Sequence, residues 1–463
     1  MNVYLSNRTD WCSMTLALAT AVSILASTST YGQSGQLSLT DTVALAQQLD
    51  PWQQGSRLRQ EALQAESISA GTFPDPQIAV GFANLPLDSL DFNQEAMTQF
   101  KVGVSQMFPR GQSLALEQQR LQLLGAEQPL MRQDRLAKVA VTVSQLWLDA
   151  YLARESLRLI EADRGLFEYL VEVAESSYAS AVGKTRQQDI IRAQLELTRL
   201  DDRLTTLRLS YEQAASKLGE WLDSAHNRER PGEDSRFRPT PQRSRSEPSL
   251  ELLQGQRLQA AGELDPNWLG SQLLQHPAIL GIEQRIDAQR TGIALAEQKY
   301  KPQWGVNASY GYRDDAPDGM NRDDFFSVGL TFDLPIFTEK RQDKQLQSAV
   351  ARTESAKTQK WLALRGMRAT VLALRSQLLR LNQRHALYQG QLLGQMHEQA
   401  EASLNAYTND DGDFAEVVRA RIAELNAKID ALVIDIDRSK TIAHLNYFFT
   451  TTDLTGEDTG ASS

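Results

Sequence analysis

Phe100-Lys-Val-Gly-Val-Ser-Gln-Met-Phe-Pro109 and Phe326-Ser-Val-Gly-Leu-Thr-Phe-Asp-Leu-Pro335 are one stretch of sequence written twice. Phe100 is answered by Phe326, Val102-Gly103 by Val328-Gly329 and Pro109 by Pro335, all at an offset of 226 residues. The same offset joins Asp50-Pro51 to His276-Pro277 and Pro76-Gln77 to Pro302-Gln303, so the agreement runs without gaps over about sixty residues. Each half must then repeat one order of helix, strand, loop, strand and helix. The period is far too long for a solenoid.

Within both copies the apolar residues recur every second position, the period of a strand. Ile78, Val80 and Phe82 alternate with Gln77, Ala79 and Gly81; Phe100, Val102 and Val104 alternate with Lys101, Gly103 and Ser105. In the second copy Trp304, Val306, Ala308, Tyr310 and Tyr312 alternate with Gly305, Asn307, Ser309 and Gly311, and Phe326 to Leu334 follows the same rule. One face is apolar and aromatic, the other small or polar. The spacing predicts strands over 77–83, 100–108, 304–312 and 325–334.

After each second strand comes a helical tract, 111–178 and 338–407, on the order of 100 Å long at 1.5 Å per residue. Pro129 is expected to bend or interrupt the first, while the second contains no proline. Each tract turns at a glycine-bearing loop, Tyr178-Ala-Ser-Ala-Val-Gly183 and Tyr407-Thr-Asn-Asp-Asp-Gly412, and runs back through Asp189-Ile-Ile-Arg-Ala193 and Glu416-Val-Val-Arg-Ala420. These are helical hairpins. The offset here drifts to 227 or 229, which reads as a difference in turn length.

The chain divides accordingly. Residues 1–32 read as an export signal, with Arg8 before an apolar run from Trp11 to Ala26 and small residues from Ser27 to Gly32 for cleavage, although Asp10 weakens the basic end. The first repeat covers 33–222, with its hairpin over 111–222, and a linker rich in Arg, Glu, Pro and Ser covers 223–265. The second repeat covers 266–450, with its hairpin over 338–449, and 451–463 read as a disordered polar tail.

Composition fits long exposed helices: of 463 residues 41% are hydrophobic and 7% aromatic, and the formal charge is −10. That acidic balance gives no footprint for nucleic acid. The single cysteine, Cys12, lies in the signal, leaving a mature chain without disulfides or cysteine-ligated metal.

Four amphipathic strands pose a physical problem. In water their aromatic face would need a partner sheet, and no other strands are read in the chain to provide one. The alternation fits a transmembrane β-barrel wall with the apolar face toward lipid. A spanning sheet cannot keep open edges in a bilayer, and four strands are too few to close, so several copies must share one barrel. Trp304, Tyr310, Tyr312, Phe325 and Phe326 are then candidate membrane-interface aromatics; the alternative is packing on the chain's own helices.

With its two strand pairs, two hairpins and two Tyr…Gly turns, the chain resembles a TolC-type outer membrane factor of a tripartite efflux system. The stretches Pro74-Asp-Pro-Gln-Ile-Ala-Val-Gly-Phe-Ala-Asn-Leu-Pro86 and Val102-Gly-Val-Ser-Gln-Met-Phe-Pro-Arg-Gly111 are similar to the branch that serves heavy-metal exporters of the resistance-nodulation-division class. The resemblance implies a mainly α fold with a β-barrel portion: a homotrimer whose chains give four strands each to a twelve-stranded outer-membrane barrel, continuous with a periplasmic α-helical tunnel. It implies passive transport, with an inner-membrane pump and a periplasmic adaptor, or membrane fusion protein, as partners. The adaptor would meet the hairpin tips, Ala181, Val182, Gly183 and Lys184 in the first copy and Asn409, Asp410, Asp411 and Gly412 in the second.

In TolC-like channels acidic side chains just beyond the second tip narrow the closed mouth. Glu416 matches the first such position, Asp189 is its counterpart in the first copy, and Arg419 falls where a second acid can occur. A ring of like charges in a narrow pore favours opening or cation binding. The alternative is a solvated carboxylate on a helix face, neutralised by Arg419 three residues on.

No enzyme or cofactor site stands out. Gly183-Lys184-Thr185 lacks the upstream glycine and leading strand of a phosphate-binding loop. The histidines, at 226, 276, 385, 397 and 444, have no metal-ligand spacing, and surface or packing roles outweigh metal binding for Met396-His397. Two other functions stay open: export of drugs or other small molecules, and a periplasmic coiled-coil adaptor or scaffold without a barrel.

Overall fold

The computed structural model describes residues 36–179, 186–223, 240–241, 250–409 and 412–451. The export signal, the first hairpin tip at Ala181 to Lys184, the tip residues Asp410 and Asp411, most of the linker and the polar tail lie outside the described residues.

The chain opens with β1 (Gln36–Leu37), α1 (Leu39–Leu49) and α2 (Pro51–Ala70). Ser38 caps α1 by accepting from the Asp41 amide at 3.1 Å, and Asp50 caps α2 by accepting from the Trp52 amide at 3.2 Å, with Pro51 at the first helical position. A proline is tolerated there because that amide has no helical acceptor. Strands β2 (Gln77–Ala83) and β3 (Gln99–Phe108) follow, then the long hairpin α3 (Ser113–Ala179) and α4 (Gln187–Leu222). From the linker, β4 (Thr240–Pro241) pairs in parallel with β1.

The second half runs α5 (Gly255–Leu258), α6 (Pro266–Leu274), α7 (Pro277–Gln298), β5 (Gln303–Tyr312), β6 (Phe325–Asp333), α8 (Gln342–Leu387), α9 (Leu393–Thr408) and α10 (Phe414–Phe448). The fold is mainly helical, with one four-stranded antiparallel sheet in the order β2-β3-β5-β6. The sheet is open, with β2 and β6 at its edges.

One helix feature differs from expectation, and a second is not announced by the sequence. Pro129 does not interrupt α3, which continues through it over 67 residues. The missing amide leaves the Gly125 carbonyl without its helical donor, a local loss that the packing of α3 on α2, α4, α7 and α10 absorbs. The proline-free tract is the one that breaks regularity: between α8 and α9, Tyr388–Leu392 forms a π-helical turn, in which the Leu393 amide reaches the Tyr388 carbonyl. A π-turn accommodates an inserted residue. The repeat offset has already grown from 226 at Pro109/Pro335 to 229 at Tyr178/Tyr407. The drift arises before the helices begin: α3 starts four residues after Pro109 and α8 seven after Pro335, so the longer strand-to-helix connection of the second copy supplies it.

The core is strung along the helices. One cluster joins Ile160, Phe167 and Leu170 of α3 to Ala193, Leu200 and Leu204 of α4 and Phe414, Val417, Val418, Leu425 and Ile429 of α10. A second sets Leu39 and Ala46 of α1 against Val139, Val143, Trp147 and Leu148 of α3. A third places Leu258, Leu269 and Leu273 on Val371, Leu378 and Leu445. Each fully buried leucine or isoleucine contributes roughly 1.5–3 kcal/mol.

Candidate functional site

In the sheet, register converts the period-two pattern into two faces. Phe82, Phe100 and Tyr312 stand in one row; Val80, Val102, Tyr310 and Phe326 in the next; then Ile78, Val104, Ala308 and Val328; then Gln106, Val306 and Leu330; then Phe108, Trp304 and Phe332. Gln106 is the one polar residue in these rows. The face is not covered by the chain's helices: Phe326 is 72% exposed, Val328 64% and Val80 63%. Ring contacts run along it, Phe82 on Phe100 at 5.4 Å and Trp304 on Phe332 at 5.4 Å.

The opposite rows are small or polar: Ala79, Gly103, Ser309 and Ser327, and Gln77, Ser105, Asn307 and Gly329. A Cβ at Gly329 would meet the end of the Asn307 side chain, which would have to swing aside. Of the five candidate aromatics, Trp304, Tyr310, Tyr312 and Phe326 share the apolar face. Phe325 does not. It lies in the row of Gly81, Lys101 and Gly311, and its ring sits under the Arg313 guanidinium at 3.9 Å. Adjacent residues in a strand point to opposite faces, so Phe325 and Phe326 cannot both join one girdle.

The loops at the far end of the sheet tie the halves together. Arg322 Nη1 donates to the Asn93 and Glu95 carbonyls at 3.1 and 3.2 Å, and Arg313 Nη1 to the Ala96 carbonyl at 3.1 Å.

At the other end, the two hairpin returns start on one apolar cluster but commit their acids differently. Asp189 is buried, and its Oδ2 accepts from the Arg186 amide at 2.9 Å, capping α4 from its third residue. Asp413 caps α10 itself, accepting from the Ala415 amide at 3.1 Å. Glu416 is thereby left half-exposed, with its Oε2 2.8 Å from Arg419 Nη2. Asn409 Nδ2 donates to the Asn405 carbonyl at 2.9 Å, and Tyr407 meets Phe414 edge to face at 5.5 Å across the turn. Gly412 fits because its position packs on backbone: a Cβ there would lie 2.8 Å from the Ala406 carbonyl carbon.

An ionic network about two to four turns into α10, centred on the buried Arg421 and Glu424, escapes a reading of sequence alone. Glu424 holds Arg421 at 3.0 Å, Lys428 at 3.0 Å and His397 Nδ1 at 2.9 Å, while Arg421 also reaches Glu401 at 2.6 Å. Burial works against the Glu424 carboxylate, but bonds from His397, Lys428 and Arg421 outweigh it and hold its pKa below the ordinary carboxylate value. The spacings 421–424 and 424–428 are visible in sequence; that α9 supplies His397 and Glu401 to them is not. Another histidine, His276, is fully buried as the cap of α7: Nδ1 accepts from the Ala278 amide at 3.2 Å and Nε2 bonds the Tyr447 carbonyl at 2.9 Å. Burial lowers its pKa.

Among the described residues no three His, Cys, Asp or Glu side chains cluster as a metal site. Among the same residues, no helix is long and apolar enough to cross a membrane.

No family model matches the sequence, and no curated protein matches it. Solved structures do match its fold. CusC, described for conformational changes accompanying folding and transmembrane channel formation, is 15% identical with a TM-score of 0.71 over 92% of this chain and 96% of that one. The Campylobacter jejuni CmeC outer membrane channel is 12% identical with a TM-score of 0.69 over 96% of this chain and 94% of that one. The open state of the Neisseria gonorrhoeae MtrE outer membrane channel is 15% identical with a TM-score of 0.66, covering 89% and 88%. The fold is TolC-like. Within that fold the open sheet leaves an uncovered apolar face and two unpaired edges.

Proposed function

We propose that this chain is the outer-membrane channel of a tripartite efflux system. The observation that carries the reading is the continuous apolar face of Val80, Val102, Tyr310, Phe326 and Val328, exposed on a sheet whose two edges are unpaired. In hydrocarbon every backbone amide and carbonyl must find a partner, so such a sheet has to close with other copies. Three chains giving four strands each make a twelve-stranded barrel. The rows of Gly103, Ser309 and Ser327 then face the lumen, and the helical hairpins extend it into the periplasm.

The hairpin tips, Ala181 to Lys184 and Asn409 to Gly412, meet a periplasmic adaptor, and an inner-membrane pump supplies the energy. Glu416 lines the mouth and Arg419 tempers its charge within the same protomer. Asp189 supports that mouth as a cap. The cargo is heavy-metal cations, a reading supported by the branch resemblance of 74–86 and 102–111. A periplasmic adaptor without a barrel is disfavoured by the exposed aromatic face, which has no use in water.

Fractionation tests the channel: the chain belongs in the outer membrane as a trimer, and recovery only in a soluble periplasmic extract sinks the reading. The cargo is tested separately. A deletion strain should lose tolerance of at least one of copper, silver, zinc, cobalt and cadmium; unchanged tolerance of all five removes the metal assignment and leaves the channel standing.

A further inference from the structure

At the foot of the sheet, where α7 ends and α8 begins, lies a cavity of about 490 Å³ lined by Lys299, Lys340, Arg341, Lys344 and Arg352. Leu295, Ala296, Ser348 and Ala349 complete much of its wall, and no carboxylate lines it. All five cations are exposed, and among the described residues none has an acidic side chain within 4.0 Å. Lys344 bonds only the neutral Gln347, at 3.0 Å.

The acids nearest the group in the chain and across the sheet are engaged elsewhere or stand apart from it. Asp333 pairs with Arg110, and Asp343 accepts from the Tyr300 hydroxyl at 2.6 Å. Glu297 and Glu339, neighbours in the chain, do not line the cavity. Asp333 lies in the field of Arg341 but pairs directly with Arg110, so five positive charges converge with no carboxylate in contact, on a protein whose formal charge is −10. Mutual repulsion makes such a cluster unfavourable unless an anion joins it.

The duplication shows that the fold does not require these charges. At the offset of 226 residues Lys299 corresponds to Phe73; from there on α8 starts 229 residues after α3, and Lys340, Arg341, Lys344 and Arg352 correspond to Gly111, Gln112, Ala115 and Leu123. The first copy builds the same junction of sheet and helix from neutral residues at all five positions.

The chain leading into the cavity supplies the second half of a recognition surface. Leu334, Ile336 and Phe337, immediately after β6, are exposed, Phe337 by 90%, and Lys340 and Arg341 follow them in the chain. Apolar side chains passing directly into a cationic pocket match a phospholipid, whose acyl chains lie against the former while its phosphate meets the latter. Arg341 can hold phosphate oxygens bidentately, with the lysines as point charges around it.

We propose that this cavity binds the phosphate of an anionic phospholipid headgroup at the periplasmic rim of the barrel. The inference rests on the channel reading above, since it places the cavity at a membrane edge. The full chain, purified in detergent, is titrated with phosphatidylglycerol and, separately, with phosphatidylcholine of the same acyl chains, with native mass spectrometry reporting retained lipid. Wild type should retain phosphatidylglycerol about ten-fold better, a preference that weakens with salt. The variant Lys340→Gln/Arg341→Gln/Lys344→Gln should lose it without a fall in thermal melting, because the three side chains make no ion pair and their mutual repulsion is relieved.

Equal retention of both lipids by wild type, or an undiminished preference in the variant, overturns the proposal. Displacement of phosphatidylglycerol by an equal concentration of inorganic phosphate also overturns it, making the pocket a free-anion site. Recovery of the same wild-type chain in the outer-membrane fraction separates the two claims: a membrane-resident channel without lipid preference overturns this inference alone, and a chain absent from the membrane overturns both.

Discussion

Asp50 and His276 occupy the same position in the two copies, each capping a helix that begins with proline, and they do so with different chemistry. Asp50 accepts from the Trp52 amide and also binds Arg135 at 2.7 Å, so its cap is part of an ion pair between α1–α2 and α3. His276 accepts through a neutral imidazole nitrogen and uses the other to hold the Tyr447 carbonyl of α10. The fold needs an acceptor at this corner. It does not need the same acceptor, and each copy has been free to attach it to a different neighbour.

The sheet is where the copies should behave most alike. Val102 and Val328 are related by the repeat and both lie on the apolar face, Val102 on an inner strand and Val328 on an edge strand of the single chain. If the barrel is shared, that edge is internal once three chains assemble. Val102→Arg and Val328→Arg should then each cost about 2–4 kcal/mol, whereas Ser327→Arg on the other face should cost little. Denaturant unfolding of the reconstituted protein measures all three. A markedly milder effect at Val328 would mean that β6 remains an edge.

The caps come next. Asp50→Ala removes a cap and strands the Arg135 guanidinium, for roughly 2–3 kcal/mol; His276→Ala removes a cap and one backbone bond, for roughly 1–2 kcal/mol. Their pH dependence sharpens the contrast. Burial lowers the His276 pKa from 6.5, against the opposing pull of its bond to the Tyr447 carbonyl and of the Asp134 charge. Above pH 6.5 both folded and unfolded chains hold a neutral imidazole; below it the unfolded chain takes up a proton that the folded one resists. Stability must therefore fall as pH falls from about 6.5. His276→Asn keeps an acceptor for the Ala278 amide and should abolish that part of the acid slope in chemical denaturation.

Much of this is legible in the sequence, because strand faces and the repeat are written in side-chain types at fixed intervals. Residues such as Val80, Val102 and Phe326 reveal their face by period alone, and register then follows from pairing alternating rows. What the sequence does not carry is the choice between partners of similar chemistry. Phe325 is not such a case, because the alternation that puts Phe326 on the apolar face already puts Phe325 on the other. The π-turn at Tyr388–Leu392 has no proline to announce it, while Pro129, the conspicuous breaker, is overridden by packing on four helices. His397 and Glu401 join Arg421 and Glu424 through a contact between two helices, which no spacing within either one encodes.

The hairpin mouths give the smallest energies and the sharpest functional contrast. Asp189 and Glu416 are repeat counterparts, each at the third position of a returning helix. What separates them is the residue three places earlier. Asp413 caps its own helix and leaves Glu416 to Arg419; Arg186 offers no acceptor, so Asp189 folds back onto the Arg186 amide.

Asp189→Ala should therefore cost about 1 kcal/mol as a lost cap, whereas Glu416→Gln, breaking an exposed pair, should cost at most about 0.5 kcal/mol. Conductance should invert the ranking: cation preference in planar bilayers changes with Glu416→Gln and not with Asp189→Ala. Unchanged conductance in the Glu416 variant would remove it from the gate. The comparison itself is tested by Arg186→Asp, which gives the first copy the cap of the second. With the introduced carboxylate accepting from the Gln188 amide, the Asp189 side chain is released, and further substitution of Asp189→Ala should then cost only a few tenths of a kcal/mol. If Asp189→Ala is as damaging in that background as in the wild type, the earlier residue does not decide the fate of the acid.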